Sequence, residues 1–344
     1  MGRKLIRKSE RDRTKLVDVI PLNTPFAVNL EPTSICNFKC RFCCHSIEDE
    51  QGIRLGNMDY DLFKKIIDDM RGFPSKIKTL FLYERGEPLL HPRISEMVHY
   101  AKDAQISDEI SIFTNGTLLT HDMSNRLIDA GLDVLNVSIE GMSAEDYYSL
   151  TGAKVDFDKL IDNITYFYQN KRDCELYIKI IRDLYSKEKL REFDRTFSKI
   201  CDYFFEEHLD DAWLGEQNLT EKEQASLEKR YEDLKPYWRT SCSCIFYKLV
   251  VRFDGSISAC MPAFRDEMIL GNARNVNVCD IWQGSEFNAL RYAHLTKNKN
   301  GYPLCQICYG PKDVHHPKDD PDNLDNVPAE IIEKFNPANS GKLA

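Results

Sequence analysis

Four cysteines lie within nine residues near the front of the chain, in the stretch CNFKCRFCCHS that begins at Cys36. Cys36, Cys40 and Cys43 are spaced C-x3-C-x2-C, and a single loop with this spacing can hold one metal cluster through three thiolates. On a four-iron cluster, three protein ligands leave one iron free to chelate a small molecule. Cys44 as a fourth ligand would instead close a zinc site. Side chains of adjacent cysteines diverge, so we expect Cys44 to face away and the site to stay open.

A second group of cysteines lies near the back of the chain, with four candidate ligands at a spacing of C-x15-C-x44-C-x2-C: Cys244, Cys260, Cys305 and Cys308. The run YKLVVRFDGSISAC predicts a β-hairpin with a two-residue turn at Asp254 and Gly255. Such a hairpin brings Cys244 and Cys260 out at the same end. Four thiolates make a closed site, which suits a fully ligated iron–sulfur cluster and structural zinc equally. Cys242 lies two residues from Cys244 and is an alternative ligand.

The composition favours a cytoplasmic globular protein over a nucleic-acid or membrane protein. The chain has 344 residues and a net charge of −9, so it lacks the surplus of Lys and Arg that binds phosphate backbones. We find neither a signal peptide nor an apolar run long enough to span a membrane. Because thiols stay reduced in the cytoplasm, grouped cysteines there are interpreted first as metal or cluster ligands.

Six short apolar runs alternate with amphipathic segments in the first two thirds of the chain. The runs predict strands at 26–30, 79–83, 109–113, 134–139, 176–181 and 202–206. Repeated strand–helix units imply a parallel sheet with right-handed crossovers. Six units predict an α/β fold built on a partial (βα)6 TIM barrel that is open on one side. Chemistry then belongs at the carboxyl ends of the strands, where the first cysteine loop lies.

Changes in composition along the chain predict five regions. These are a basic N-terminal arm at 1–25, the partial barrel at 26–215, a helical bridge at 216–241, a small cysteine-rich module with the β-hairpin at 242–310 and a C-terminal tail at 311–344. We expect the arm to be solvated and the tail to be loosely ordered.

The first cysteine spacing, with the aromatic Phe42 before the last cysteine, resembles the radical S-adenosylmethionine (SAM) superfamily. Further elements that resemble this family follow successive predicted strands: Gly86, Glu87 and Pro88 (GEP), then Asn115 in TNG, Ser138 in VSIEG, and Lys179 and Arg182. Order, spacing and strand placement agree over roughly 190 residues. The resemblance implies that the GEP element binds the SAM amino group and that Ser138 contacts its ribose or carboxylate. It also implies that Lys179 or Arg182 pairs with the carboxylate.

The same resemblance implies the chemistry. In this family a reduced [4Fe–4S] cluster with an open iron passes an electron to the sulfonium of bound SAM. Cleavage of the carbon–sulfur bond gives methionine and a 5′-deoxyadenosyl radical, which abstracts hydrogen from an unactivated C–H bond. The expected cofactors are therefore SAM and a cluster held by Cys36, Cys40 and Cys43. The expected partner is a reductant such as flavodoxin or ferredoxin.

The back of the chain resembles a second module of the same superfamily. The hairpin, its Asp-Gly turn, the segment GNARNVNVCDIWQGSEFNALR and the closing C-x2-C resemble the SPASM or twitch auxiliary-cluster module. The single four-cysteine set is similar to the shortened, one-cluster twitch form of aminocyclitol dehydrogenases. The resemblance implies an auxiliary [4Fe–4S] cluster held by Cys244, Cys260, Cys305 and Cys308, with zinc as the alternative.

Two residues are candidates for roles in catalysis. Glu84 stands where the family often has glycine. It is either a surface or salt-bridged carboxylate, with Arg85 as a candidate partner, or a contact to a substrate hydroxyl or amine. Cys279 is either a buried packing residue or a donor that returns a hydrogen atom to a substrate radical.

The sequence as a whole predicts a radical SAM oxidoreductase, a dehydrogenase of a small polar substrate that is sugar- or cyclitol-like, with an auxiliary cluster that assists oxidation. One alternative is a redox-neutral epimerase or dehydratase of a carbohydrate, and epimerisation needs a hydrogen donor such as Cys242, Cys279 or a tyrosine. Another alternative is a peptide-modifying enzyme, but the roughly 25 residues before the first strand are too few for a peptide-recognition domain. We expect no nucleic-acid or membrane partner.

Overall fold

The computed structural model describes residues 2–4, 14–47, 53–211, 218–263, 265, 267–312 and 320–339. Within these residues, ten strands form one sheet: β1 (Arg3–Lys4), β2 (Ala27–Leu30), β3 (Ile77–Phe81), β4 (Ser107–Thr114), β5 (Val134–Ile139), β6 (Glu175–Ile181), β7 (Tyr203–Glu207), β8 (Lys248–Val251), β9 (Ser256–Ser258) and β10 (Ile269–Asn272). The strand order is β1-β7-β6-β5-β4-β3-β2-β8-β9-β10.

The helices of the same residues cover the sheet and its two ends. They are α1 (Tyr60–Asp69), α2 (Ile94–Ala104), α3 (His121–Asp129), α4 (Ala144–Thr151), α5 (Phe157–Asn170), α6 (Lys187–Phe197), α7 (Glu221–Leu234), α8 (Cys244–Tyr247), α9 (Val278–Gln283), α10 (Ser285–Leu295), α11 (Pro303–Ile307) and α12 (Ala329–Ile332). Among the described residues, none of these helices is long and apolar enough to cross a membrane.

All six predicted strand–helix repeats are confirmed, with β2 to β7 paired in parallel in chain order. Successive side chains of a strand point to opposite faces of a sheet. On β5, Leu135, Val137 and Ile139 join the main core under the helices, whereas Val134 joins a second cluster with Tyr177. The strands therefore present one apolar face to the helices and a second face to the interior of a partial barrel.

The helices bury amphipathic faces against the outside of this sheet. In α1, the carboxylate of Asp59 caps the first turn by accepting hydrogen bonds from Asp61 N and Leu62 N, at 3.0 and 3.1 Å. Phe63 and Ile66, spaced three residues apart on one face, are fully buried. Capping and burial together fix where the helix begins and which way it faces.

The predicted β-hairpin is confirmed, but its turn has three residues, 253–255, instead of the predicted two, because Arg252 N donates to Ser256 O at 2.8 Å. The hairpin also extends the barrel sheet instead of forming a separate one. Strand β8 pairs in parallel with β2, and β9 pairs antiparallel with β8. Gly255 has a φ of +89° in the turn, a conformation that favours glycine. The auxiliary module is thereby joined to the barrel by backbone hydrogen bonds, because the apolar run at 248–251 completes the sheet beside β2.

The N-terminal arm differs from the solvated segment that its charge predicts. Strand β1 adds to β7 at the far edge of the sheet, and Lys4 Nζ lies 2.5 Å from Asp194 Oδ2 and 2.6 Å from Glu206 Oε1. Leu16 and Ile20 are buried in the main core. Parts of the predicted regions lie outside the described residues, namely 1 and 5–13 of the arm, 48–52 of the barrel, 212–217 at the junction of barrel and bridge, 264 and 266 of the cysteine-rich module, and 313–319 and 340–344 of the tail.

Candidate active site

The first cysteine loop follows β2 and lies at the carboxyl end of the sheet. Cys43 N donates to Cys40 O at 2.8 Å, and Cys36 Sγ accepts from Phe38 N at 3.4 Å. Burial, with the charges of Glu87 and Cys43, raises the pKa of Cys36 to about 12. Burial also raises the pKa of Cys40. Metal binding to these thiols therefore releases protons, as expected for cluster ligands.

Cys44 does not diverge from its neighbour as the sequence predicts. It begins a short 3-10 turn, is 1% exposed, and its Sγ lies 3.9 Å from Cys43 Sγ. The assignment of Cys36, Cys40 and Cys43 as the ligands stays a prediction. In the described part of the chain, no three His, Cys, Asp or Glu side chains are gathered in a way that holds a single metal ion.

Gly86 and Glu87 bring the GEP element against the cysteine loop. A Cβ on Gly86 would lie 2.2 Å from Thr33 O, so this close approach of two loops requires glycine. The backbone N–H of Glu87 donates to Ile35 O at 2.9 Å, one residue before Cys36. Pro88 then begins a 3-10 turn. The GEP element is thus built into the wall of the first cysteine site.

The Glu87 carboxylate ties this element to the TNG loop after β4. It accepts hydrogen bonds from Thr114 Oγ1 at 2.7 Å, Asn115 N at 2.7 Å and Leu89 N at 3.0 Å. Asn115 Nδ2 in turn donates to Asn37 Oδ1 in the cysteine loop, at 2.8 Å. Three loops that sequence reasoning assigned separately to SAM binding therefore form one hydrogen-bonded rim.

The other predicted SAM contacts divide between the barrel interior and its outer face. Ser138 and Lys179 are register partners on β5 and β6, on the interior face. Lys179 Nζ lies 2.5 Å from Glu207 Oε2 on β7. Arg182 is nearly half exposed, and its Nε lies 3.8 Å from Glu206 Oε2. Glu206 and Glu207 are adjacent on β7, so their side chains point to opposite faces of the sheet. Lys179 is thus brought into the site and Arg182 is not.

Phe42 is half-buried beside the cysteine loop. It packs against the small cluster of Leu209, Leu227 and Tyr231, which connects α7 to the barrel. This position anchors the loop to the helical bridge.

Glu84 and Arg85 are both buried. Glu84 lies in an ion pair, as one alternative predicts, but its partner is Arg252 and not Arg85. Arg85 forms a bidentate ion pair with Glu31, with Nε–Oε1 and Nη2–Oε2 distances of 2.8 Å. Glu84 accepts from Asn29 Nδ2 at 3.1 Å and lies 3.4 Å from Arg252 Nη1. Burial raises the pKa of Glu84. The physical reason is that the hairpin delivers Arg252, a partner that sequence proximity does not reveal.

Glu140 is a buried carboxyl that sequence analysis missed. It follows β5 directly, two residues after Ser138, and burial raises its pKa to about 7, although the Lys179 charge acts in the opposite direction. The negative charge of Glu140 helps to raise the pKa of Cys40 in the first cysteine loop. It acts against the lowering of the pKa of Cys43. The sequence feature that could have identified Glu140 is its position at the carboxyl end of a predicted barrel strand.

The second cysteine group comes together around one cavity of about 100 Å³. Five cysteines line this cavity: Cys242, Cys244, Cys260, Cys305 and Cys308. The remaining lining is largely apolar and includes Met261 and Leu304. A largely apolar cavity with this many thiols fits a fully cysteine-ligated iron–sulfur cluster.

Cys242 and Cys244 differ in their surroundings within this cavity. A hydrogen bond from the Cys242 thiol, with contributions from the Lys248 charge and the Tyr247 hydroxyl, lowers the pKa of Cys244 to about 5 despite burial. The Tyr247 Oη–Cys244 Sγ distance is 3.5 Å. The same hydrogen bond and burial raise the pKa of Cys242. Both thiols line the cavity, so Cys242 stays an alternative to Cys244 as the ligand.

Cys279 lies apart from both cysteine groups. It is on α9, and its Sγ donates to Asp69 O at the end of α1, at 3.2 Å. Helix α1 packs on the outside of the sheet, so the structure does not place Cys279 where a hydrogen donor would reach an interior substrate. Its contacts agree with the packing alternative.

The auxiliary cavity shares a wall with the barrel interior. Lys248 and Met261 line the cavity. Met261 Sδ accepts from Asn29 Nδ2 on β2 at 3.6 Å, and Lys248 Nζ lies 5.9 Å from the ring centroid of Phe81 on β3. Both contacts arise because β8 is the sheet neighbour of β2. The auxiliary cavity therefore borders the interior side of β2 and β3.

Comparison with known proteins agrees with this arrangement. The sequence model of the Radical SAM superfamily matches residues 30–200, and that of the SPASM iron-sulfur cluster-binding domain matches residues 242–309. The tungsten-containing aldehyde ferredoxin oxidoreductase cofactor-modifying protein of Pyrococcus furiosus is 28% identical over 317 residues, which cover 81% of this chain and 86% of that protein.

Two solved structures share the fold. BtrN, crystallised with AdoMet and 2-DOIA, has a TM-score of 0.57 at 18% identity, with 87% of this chain and 98% of that chain covered. Streptococcus suis SuiB bound to S-adenosylmethionine has a TM-score of 0.61 at 17% identity, with 91% and 79% covered. The matches to the two sequence models show that the chain belongs to the Radical SAM superfamily and carries a SPASM iron–sulfur cluster-binding domain.

Proposed function

We propose that this enzyme dehydrogenates a small polar substrate, held in the barrel between the two clusters, as in the oxidation of an alcohol to a ketone. This proposal rests on the contacts that Lys248 and Met261, in the lining of the auxiliary cavity, make with interior residues of β2 and β3. A substrate radical formed in the interior lies on the side of the sheet that Lys248 and Met261 connect to the second cysteine group. That connection supports an auxiliary cluster that takes part in the reaction over one that only stabilises the fold.

When bound, SAM and the first cluster supply a 5′-deoxyadenosyl radical, and the auxiliary cluster accepts one electron. The protein's own residues then have to orient the substrate and remove a proton. Lys179 and Glu207 offer a charged pair on the interior face, suited to hydroxyl and amine groups. Glu140, with a pKa of about 7, is suited to take the proton from the substrate hydroxyl. The substrate thus loses one hydrogen atom, one proton and one electron, which balances a two-electron oxidation.

A second candidate substrate is a cofactor. The Pyrococcus furiosus relative is named as a cofactor-modifying protein, and its similarity extends over 81% of this chain. The charged interior of the barrel suits a polar cofactor as well as an aminocyclitol. The likeness to BtrN and SuiB supports the fold alone, so it favours neither a cyclitol nor a peptide.

The test is a reaction in deuterated water with reconstituted enzyme, dithionite, SAM and a panel of aminocyclitols, amino sugars and free cofactors. Dehydrogenation gives a carbonyl product, and recovered substrate carries no solvent deuterium at carbon. Solvent deuterium at an inverted carbon would show a redox-neutral epimerase and contradict the proposal. The Glu140→Gln variant should lower product formation at least tenfold while SAM cleavage continues, which separates proton removal from radical formation.

A further inference from the structure

His294 lies beside the auxiliary cysteines without belonging to the predicted ligand set. It is on α10, it is one of the residues that line the auxiliary cavity, and it is 1% exposed. Ser241 Oγ donates to its backbone carbonyl at 2.9 Å, which holds this turn of the helix against the segment that carries Cys242. His294 is thus fixed at the cavity wall.

Among the described residues, one ring nitrogen of His294 has a hydrogen-bond partner and the other has none. Cys242 N donates to His294 Nδ1 at 3.1 Å, so Nδ1 acts as the acceptor. In a neutral imidazole the hydrogen then lies on Nε2. Among the residues that the structure describes, this buried Nε2 has no hydrogen-bond partner. A buried donor without a partner is costly and calls for an acceptor in the complete protein.

We propose that His294 Nε2–H donates a hydrogen bond to a sulfur of the auxiliary cluster. The cavity that His294 lines is the one bordered by the cluster cysteines, and cluster sulfurs are acceptors. A donated hydrogen bond stabilises the reduced cluster, which carries more negative charge, and so raises its reduction potential. His294 is then a positioning and tuning residue of the auxiliary cluster. This inference rests on the cluster and holds whether or not the enzyme is a dehydrogenase.

Two substitutions separate the roles of the two ring nitrogens. In His294→Asn the amide oxygen can still accept from Cys242 N near the Nδ1 position, but no donor reaches the Nε2 position. In His294→Gln the amide nitrogen can restore a donor there. His99→Asn is the matched control, because His99 is on α2 and its side chain is 64% exposed.

The measurement is an anaerobic redox titration of the reconstituted holoenzymes, followed by EPR, with the first cluster as an internal reference. We expect His294→Asn to lower the auxiliary reduction equilibrium constant about tenfold, a shift of ~59 mV for one electron. His294→Gln should recover most of that shift, and His99→Asn should cause none. An unchanged potential in His294→Asn, or loss of the cluster from both His294 variants, would overturn the proposal.

Wild-type protein provides an independent test that needs no variant. In enzyme labelled with ¹⁵N-histidine, pulsed EPR of the reduced auxiliary cluster should show a weak ¹⁵N coupling, as for a hydrogen-bonded nitrogen. Absence of any coupling, or a strong coupling that indicates a ligating nitrogen, would contradict the hydrogen bond.

Discussion

Glu84 and Arg85 are neighbours in the chain, yet each neutralises a charge on a different part of the fold. Arg85 pairs with Glu31 at the end of β2, and Glu84 faces Arg252 at the end of β8. Breaking a buried ion pair by removing one partner costs about 3–5 kcal/mol, because the other charge is left buried. Sequence analysis named Glu84 as a candidate but did not identify the partner of either residue, since both partners come from segments more than 50 residues away.

The adjacent pair Cys43 and Cys44 gives the clearest test at the scale of single residues. Cys43→Ala should lose the first cluster and SAM cleavage, because an open cluster already has the minimum of three thiolates. Cys44→Ala should keep both, with a modest loss of stability from the small cavity that it leaves in a fully buried site. The measurements are iron content and 5′-deoxyadenosine formation. Loss of the cluster in Cys44→Ala would show that Cys44, 3.9 Å from Cys43, is a ligand.

At the scale of elements, the important feature is that β8 completes the barrel sheet. The sequence predicted the hairpin from its Asp-Gly turn, and it predicted six parallel strands from alternating patterns. It did not predict that β8 pairs with β2, because strand pairing between distant segments depends on which edge the rest of the fold leaves open. The same limit hid the contacts that join the auxiliary cavity to the interior face of β2 and β3.

Glu31 contacts both the barrel rim and the hairpin, so a substitution there tests how the hairpin is held to the barrel. Its carboxylate accepts from Arg85 in the barrel rim and from Phe253 N in the hairpin, at 3.0 Å. Burial raises its pKa, but the Arg85 hydrogen bond and charge outweigh burial and lower it overall. The folded pKa therefore lies below the unfolded one, so the carboxylate stabilises the fold above about pH 4.5, and this contribution is lost as the pH falls.

We expect Glu31→Gln at neutral pH to speed hydrogen exchange in both 84–90 and 251–258, because Arg85 loses its counter-charge and the hairpin loses an anchor. Hydrogen exchange with mass spectrometry measures the two segments separately. Glu96→Gln on α2 is the control, since that carboxylate is half exposed and pairs only at the surface with Arg93. Faster exchange in the barrel rim alone would show that the hairpin is held independently of Glu31.

At the scale of the whole molecule, two cysteine groups separated by about 200 residues lie beside neighbouring strands, β2 and β8, because a single sheet carries both. The ligand candidates were predictable, since cysteines that share a loop or a hairpin end are recognised by spacing. Glu140 and His294 were not, because a single carboxylate or histidine gains its role only from burial and from neighbours that the fold supplies.

The central claim is that the chain holds two clusters with separable roles. Iron and sulfide analysis of anaerobically reconstituted protein, with SAM cleavage measured on the same samples, tests it most directly. Two four-iron clusters predict about eight irons per chain in the wild type and about four in the Cys305→Ala/Cys308→Ala variant, with SAM cleavage largely retained in that variant. About four irons in the wild type, zinc in place of iron, or loss of SAM cleavage in the variant would contradict the account.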